Sequence, residues 1–286
     1  MRLIGIFVLT CLCTCLVAEA KQLIDSSQRK ELESYCADSQ YMRTFPFEAY
    51  QICTVPNQGK FYVDTRYDSI KSYLYAGNAW EPQTDQVIYR YTKPDTIALD
   101  IGAHIGTHTL ALSKAVGPNG LVIAFEPQKK IYRELCMNLR LNSCDNVIPV
   151  RCALGDKRGE VGMETPVQSN EGGTYVGSGP DRVTLTRLDD FHLQNVSFIK
   201  MDVENFEDFV LAGGAETIEK SKPVIFLEIQ GNNEQLYAAG GTREEKTQAT
   251  IALLRKIGYQ VSNSNFSECD YLALPTDSLG IPRQAH

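Results

Sequence analysis

A strand that closes on an acid and runs straight into glycines constrains this chain more than any other feature. The apolar run Ile97-Ala98-Leu99 ends at Asp100, continues as Ile101-Gly102-Ala103-His104-Ile105-Gly106, and passes into a segment patterned as a helix. A second apolar run, Leu121-Val122-Ile123-Ala124-Phe125, ends at Glu126 and Pro127. The order is strand, glycine loop, helix, strand, acid. Glycines let the backbone approach a ligand closely, and an acid closing the second strand can accept both hydroxyls of a ribose. The spacing points to a nucleoside-containing cofactor. An ordinary βα turn with a capping Asp is the plainer alternative.

Dinucleotide loops begin with glycine at the strand end, because a pyrophosphate must sit against bare amides at the helix N-terminus. Here Asp100 stands in that place, and its carboxylate would repel pyrophosphate. The same carboxylate suits a cofactor with a cationic end, such as the ammonium and sulfonium of S-adenosylmethionine. The third glycine of the dinucleotide pattern also has no clear counterpart. S-adenosylmethionine is therefore favoured over a nicotinamide cofactor.

The 286 residues suffice for one α/β domain with an N-terminal extension. A net charge of −7, with no basic run, argues against nucleic acid as a partner. Residues 1–20 stand apart: Met1-Arg2, an apolar stretch from Leu3 to Val17, then Ala18-Glu19-Ala20. That pattern reads as a cleaved secretory signal. A short uncleaved anchor is the other reading, although the stretch falls short of the roughly 20 residues a spanning helix needs. No later segment approaches that length, so no membrane span is expected in the mature chain. The expected setting is the secretory-pathway lumen or the cell exterior.

Outside the leader, six cysteines remain: Cys36, Cys53, Cys136, Cys144, Cys152 and Cys269. An even set in a secreted chain is compatible with disulfides, and Cys36 with Cys53 is the foremost candidate pair, worth about 3 kcal/mol if closed. Cys136, Cys144 and Cys152 can equally be buried small apolar groups. No Cys or Cys/His spacing suits zinc, and no metal site is assigned. Asn195-Val196-Ser197 and Asn265-Phe266-Ser267 are glycosylation acceptor triplets, Asn265 being the better placed.

Along the chain, residues 21–93 read as an aromatic-rich, irregular extension with a short helix near Asp68–Tyr75. From Ile97 onward apolar runs alternate with helical patterns, which predicts a parallel sheet with helices on both faces. Pro127 is expected to open a helix burying Ile131, Leu135 and Leu139. Residues 159–182 are long for a loop, and are either functional or built from added short strands. Phe198 to Glu204 reads as a strand ending in two carboxylates, and Gln248–Ile257 as a helix. Tyr259–Ser262 and Tyr271–Leu274 read as a closing antiparallel hairpin.

Taken together, Trp80-Glu81-Pro82, Asp100 to Gly106, Phe125-Glu126-Pro127, Ala153-Leu154-Gly155-Asp156, Thr186 to Asp190 and Ile199 to Glu204 resemble the FkbM family of S-adenosylmethionine-dependent methyltransferases. The resemblance spans residues 75–275. It implies an α/β, class I methyltransferase (Rossmann-like) fold: a seven-stranded, mostly parallel sheet with an antiparallel terminal strand. On this reading residues 1–20 are the signal, 21–93 the extension and 94–286 the methyltransferase domain. Carried over by position, Asp100, Gly102, Ala103 and Gly106 shape the methionine end of the site, Glu126 binds the ribose, and Asp156 sits near the adenine amine. The resemblance further implies O-methylation of a hydroxyl on a glycan or small molecule. Two positions depart from the family pattern: His104 where Asn is usual, and Asn205 where Gly is usual.

Methyl transfer to an alcohol needs alignment with the S–CH₃ axis and a base for the hydroxyl proton. Asp202 and Glu204, two apart on one strand, are the first candidates because they would share a face. The alternative is that Glu204 caps the next helix and Asp202 fixes the strand end. His104 is a rival base, or simply hydrogen-bonds backbone in place of Asn. Glu81 either covers the cofactor or packs, with Trp80, against the sheet; His108 reads as a packed or solvated helix residue. The competing function is a secreted, non-catalytic binding protein on the same scaffold.

Overall fold

The structure is a computed structural model that describes residues 23–36, 45–64, 68–165, 171–229 and 242–279. The expected signal, residues 1–20, lies outside them. Helix α1 (Ser26–Ser34) starts at a reciprocal cap between Asp25 and Gln28. Strands β1 (Gln51–Val55) and β2 (Gly59–Val63) form an antiparallel hairpin. They turn Cys53, Val55, Phe61 and Val63 inward. Helix α2 (Ser69–Tyr75) begins at Asp68, whose carboxylate accepts the Lys71 N–H at 3.1 Å. Helix α3 (Pro82–Tyr91) carries its proline in the first turn. The extension is thus built from a hairpin and helices. Each strand buries only alternate residues, a signal too short to read against its aromatic surroundings.

The domain that follows is doubly wound. Strand β3 (Ile97–Ile101) leads through α4 (Thr107–Val116) to β4 (Leu121–Phe125), then through α5 (Lys129–Leu141) to β5 (Val147–Val150). Short strands β6 (Ala153–Leu154), β7 (Gly159–Glu164), β8 (Tyr175–Gly177) and β9 (Asp181–Thr186) make a separate four-stranded sheet, so the long segment 159–182 does carry added strands. Strand β10 (Val196–Met201) returns to the main sheet. Helices α6 (Glu207–Gly213) and α7 (Ala215–Ser221), strand β11 (Val224–Glu228), helix α8 (Arg243–Lys256) and the hairpin β12 (Tyr259–Asn263) and β13 (Asp270–Pro275) complete the chain.

The main sheet has seven strands in the order β12-β13-β11-β10-β3-β4-β5. All neighbours from β11 to β5 run parallel, and β13 runs antiparallel to both β11 and β12. Every residue of β3, β4 and β10 is buried, which is why these strands read as continuous apolar runs. Helix α5 buries Ile131, Leu135 and Leu139 as anticipated. It starts two residues after Pro127, because Gln128 is its N-cap. Helix α8 starts five residues earlier than its apolar pattern indicates, at a reciprocal cap between Thr242 and Glu245.

The hairpin packs Phe61 and Val63 with Leu74 against Leu110 of α4 and Leu135 of α5, and so braces the helices that flank the glycine loop. Cys53 faces this cluster as a free thiol, while Cys36 lies 3.3 Å from the Pro149 carbonyl beside β5. The expected Cys36–Cys53 bridge therefore does not form: the two cysteines serve different packing surfaces. Among the described residues no helix is long and apolar enough to cross a membrane.

Candidate active site

Chain order runs outward from β3 in both directions, to β4 and β5 on one side and to β10 and β11 on the other. Ligands in open α/β sheets bind at the carboxyl ends of the strands where the order reverses. A cleft enclosing about 850 Å³ of space, part of it open to solvent, occupies that place. Its lining combines Gly102, Ala103 and His104 after β3, Glu126 after β4, Leu154 in β6, and Asp202 after β10.

Gly102 has φ +80°, and a Cβ there would lie 1.7 Å from the carbonyl oxygen of Asp202. The loops after β3 and β10 touch at this point, and only glycine admits the contact. Glu126 ties two turns together. Its Oε2 accepts the His104 N–H and its Oε1 the Gln128 N–H, both at 2.9 Å. The side chain is 3% exposed, and burial pushes its carboxyl up to about 7. Each oxygen keeps a lone pair beyond the bond it accepts. His104 adopts φ +48° and its Nε2 lies 3.0 Å from the buried Asp68 carboxylate, so one ring nitrogen is committed to α2.

Three expected cofactor residues stand off the cleft lining. Asp100 is wholly buried beneath the loop, where Thr109 donates to Oδ2 at 2.5 Å and Oδ1 has no partner. Burial raises its pKa. Gly106 caps α4 in a left-handed conformation, and a Cβ there would press on Leu135. Asp156 is exposed; Cys152, Ala153 and Leu154 form the wall nearby.

On the other side of the glycine loop, the cleft gathers Glu81, His108, Lys200, Asp202 and Glu204. Asp202 and Glu204 do not share a strand face as expected. Strand β10 stops at Met201, and Glu204 and Asn205 turn left-handed at φ +51° and +73°. Neither carboxylate caps α6, which begins without a side-chain cap. Asn205 is well suited to the glycine position it occupies, since Asn tolerates positive φ better than most residues. Burial and the neighbouring Asp202 and Glu207 push the Glu204 carboxyl up to about 8.

Two residues of this cluster escape the sequence reading. Lys200 is buried in β10, in register with Asp100 of β3. Its Nζ donates to the Gly102 carbonyl at 3.2 Å and to Asp202 Oδ2 at 3.3 Å. Asp202, Asp100 and Glu81 hold its pKa above the usual lysine value despite burial. The available signal is a lysine inside an apolar strand. His108 is buried between Asp85 and Glu81. Its signal is weaker: an acid at the N-cap of α3 and another in its first turn, opposite a histidine on another helix.

The methyltransferase FkbM domain family matches residues 100–261, more than half of the chain. A 2-O-methyltransferase, NoeI of Sinorhizobium fredii, is 24% identical over 175 residues, covering 53% of this chain and 70% of that protein. Among solved structures, a methyltransferase FkbM from Methylobacillus flagellatus is 16% identical with a TM-score of 0.43, covering 86% of this chain and 57% of that one. Fibrillarin from Aeropyrum pernix, in complex with natively bound S-adenosyl-L-methionine, is 13% identical with a TM-score of 0.41, covering 82% and 85%.

Proposed function

The chain belongs to the FkbM methyltransferase family and is an S-adenosylmethionine-dependent enzyme, and from that premise we propose that it methylates a hydroxyl oxygen of a glycan or small molecule. One observation carries the reading: Glu126, with spare acceptor capacity, and the acids Asp202 and Glu204 flank the same glycine loop in one cleft. The likeness to a 2-O-methyltransferase supports oxygen as the atom that receives the methyl group.

The residues present fit the cofactor. Both Glu126 oxygens can still accept a hydrogen bond, which suits a ribose diol. Gly102 leaves backbone bare at the loop, and the Glu81 carboxylate on the cleft wall, held below the usual glutamate range, favours a cation. Gly102, Ala103 and Glu81 would hold the methionine end, with Gly106 starting the helix behind it. The cofactor supplies a methyl group already activated by its sulfonium.

What remains for the protein is alignment and proton removal. Glu204 takes the acceptor's hydroxyl proton in its ionised form; burial and its acidic neighbours push the pKa up to about 8, so the carboxylate is a stronger base than an ordinary glutamate and its active fraction grows as the pH rises toward 8. Lys200 fixes Asp202 beside it, and Asp202 in turn makes Glu204 more basic. His104 braces the loop through Asp68 and takes no proton in this scheme. The leader-like residues 1–20 extend the proposal to a secretory-pathway setting, which N-terminal sequencing of protein exported by a host cell tests.

The direct test is label transfer from methyl-tritiated S-adenosylmethionine to a panel of polyhydroxylated acceptors. Label should arrive on oxygen, and Glu204→Gln should lower transfer by about 100-fold or more while leaving cofactor binding intact. Label on nitrogen or carbon, or full activity in that variant, would overturn the proposal.

A further inference from the structure

His108 sits in the first turn of α4 with both ring nitrogens engaged by acids from α3. Asp85 Oδ1 lies 3.0 Å from Nδ1, and Glu81 Oε2 lies 3.2 Å from Nε2. A neutral imidazole has one N–H and can donate to only one of two carboxylates; an imidazolium donates to both. Those two hydrogen bonds push the His108 pKa up to about 9 despite burial. With neither nitrogen left for a substrate, His108 is not placed to move a proton in the reaction.

What it can do is hold Glu81. Glu81 adopts φ +41° and ψ +57°, a left-handed conformation that a residue with a side chain keeps only when its surroundings hold it. Its side chain lines the cleft and is 42% exposed. Besides His108, the Thr84 hydroxyl reaches it at 3.4 Å. Behind the histidine, Gln58 donates to Asp85 Oδ2 at 2.8 Å. The same Gln58 amide clamps both backbone groups of Trp80, the residue before Glu81. The β1–β2 turn, α3 and α4 are thus linked by one polar chain that ends in a carboxylate facing the cleft.

We propose that His108, backed by Asp85, is a positioning residue that holds the Glu81 carboxylate where it receives the ammonium group of the cofactor's methionine end. The inference rests on the cofactor-binding reading of Glu81. Charge supports it: Glu81 and Asp202 line this part of the cleft, and the Lys200 ammonium beside them is already shared between Asp202 and the Gly102 carbonyl. An incoming alkylammonium would find an aimed, ionised acceptor, because its hydrogen bonds hold the Glu81 carboxyl below the usual glutamate range.

Calorimetric titration of the full chain with S-adenosylmethionine tests this through a double-mutant cycle. Glu81→Gln should weaken binding by about tenfold, the loss of one charge-assisted hydrogen bond. His108→Phe should weaken it comparably, and His108→Gln less, since its amide can still reach Glu81. In the Glu81→Gln background neither histidine substitution should weaken binding further. Thermal melting reports whether each variant is folded, and His108→Gln carries the cycle should His108→Phe lose its fold. Losses at His108 that persist undiminished in the Glu81→Gln background would overturn the positioning role. Unchanged binding in Glu81→Gln alone would instead overturn the reading of Glu81 itself.

Discussion

Gly102→Ala tests the contact on which the cleft depends. The added Cβ would lie 1.7 Å from the Asp202 carbonyl oxygen, whereas real Cβ contacts essentially never fall below 3.0 Å. One loop must retreat by more than about 1 Å. Neither moves freely. The Asp202 N–H is bonded to the Ile101 carbonyl at 2.9 Å, and Lys200 clasps the Gly102 carbonyl. Left-handed backbone for a non-glycine residue costs about 1–2 kcal/mol, and overpacking adds about 1–3 kcal/mol. A total near 3 kcal/mol lowers the melting temperature by roughly 6–12 °C for a chain of this size. Displacing Asp202 by about 1 Å should also cost about 100-fold in turnover. Gly77 is the matched control: its φ is +82°, but no atom lies within 4 Å of its added Cβ. Gly77→Ala should therefore show the strain alone, with normal turnover. Urea denaturation and initial rates at saturating cofactor measure both effects. Gly102→Ala indistinguishable from Gly77→Ala in stability and turnover would refute the reasoning.

The Glu204 carboxyl must be deprotonated to accept a proton, so kcat should fall about tenfold per pH unit below about 8. Asp202→Asn removes a negative neighbour and should move that limb to lower pH by about one pH unit; a limb near 4.5 that ignores Asp202 would contradict the assignment. Lys71 and Glu134, both fully buried, form an ion pair at 2.5 Å between α2 and α5. Lys71→Met should destabilise the protein by about 3–5 kcal/mol in urea, and Lys71→Met with Glu134→Leu should recover most of the loss. Full loss in the double variant would contradict this and move the requirement to the other partners of the pair, Glu171 on Lys71 and Tyr50 on Glu134.

The glycine loop and the terminal hairpin are legible in the sequence because each is a local pattern. Strand, acid and bare backbone follow one another within Ile97–Gly106, and β12 and β13 are joined by a polar turn. The reason for Gly102 is not local. Its steric partner is the backbone of Asp202, on a loop a hundred residues further along. Asp202 and Glu204 were visible as chemistry but misplaced in geometry, since alternation along a strand says nothing once the backbone turns left-handed at Glu204. His108 reads as an ordinary helix residue because its partners belong to α3, and helix pairing leaves no periodic trace. Asp156 illustrates the converse. Its position after Leu154 is as expected, yet its side chain points to solvent while the preceding residues wall the cleft. His104 and Asn205, the two positions that depart from the family pattern, both occupy left-handed turns.

A crystal structure of the full chain with S-adenosylhomocysteine examines the placement of the cofactor most directly. Both ribose hydroxyls should lie within hydrogen-bond distance of the Glu126 carboxylate, with the amino-acid end beside Gly102 and Glu81. A nucleoside seated elsewhere, or a ribose that Glu126 does not touch, would contradict it.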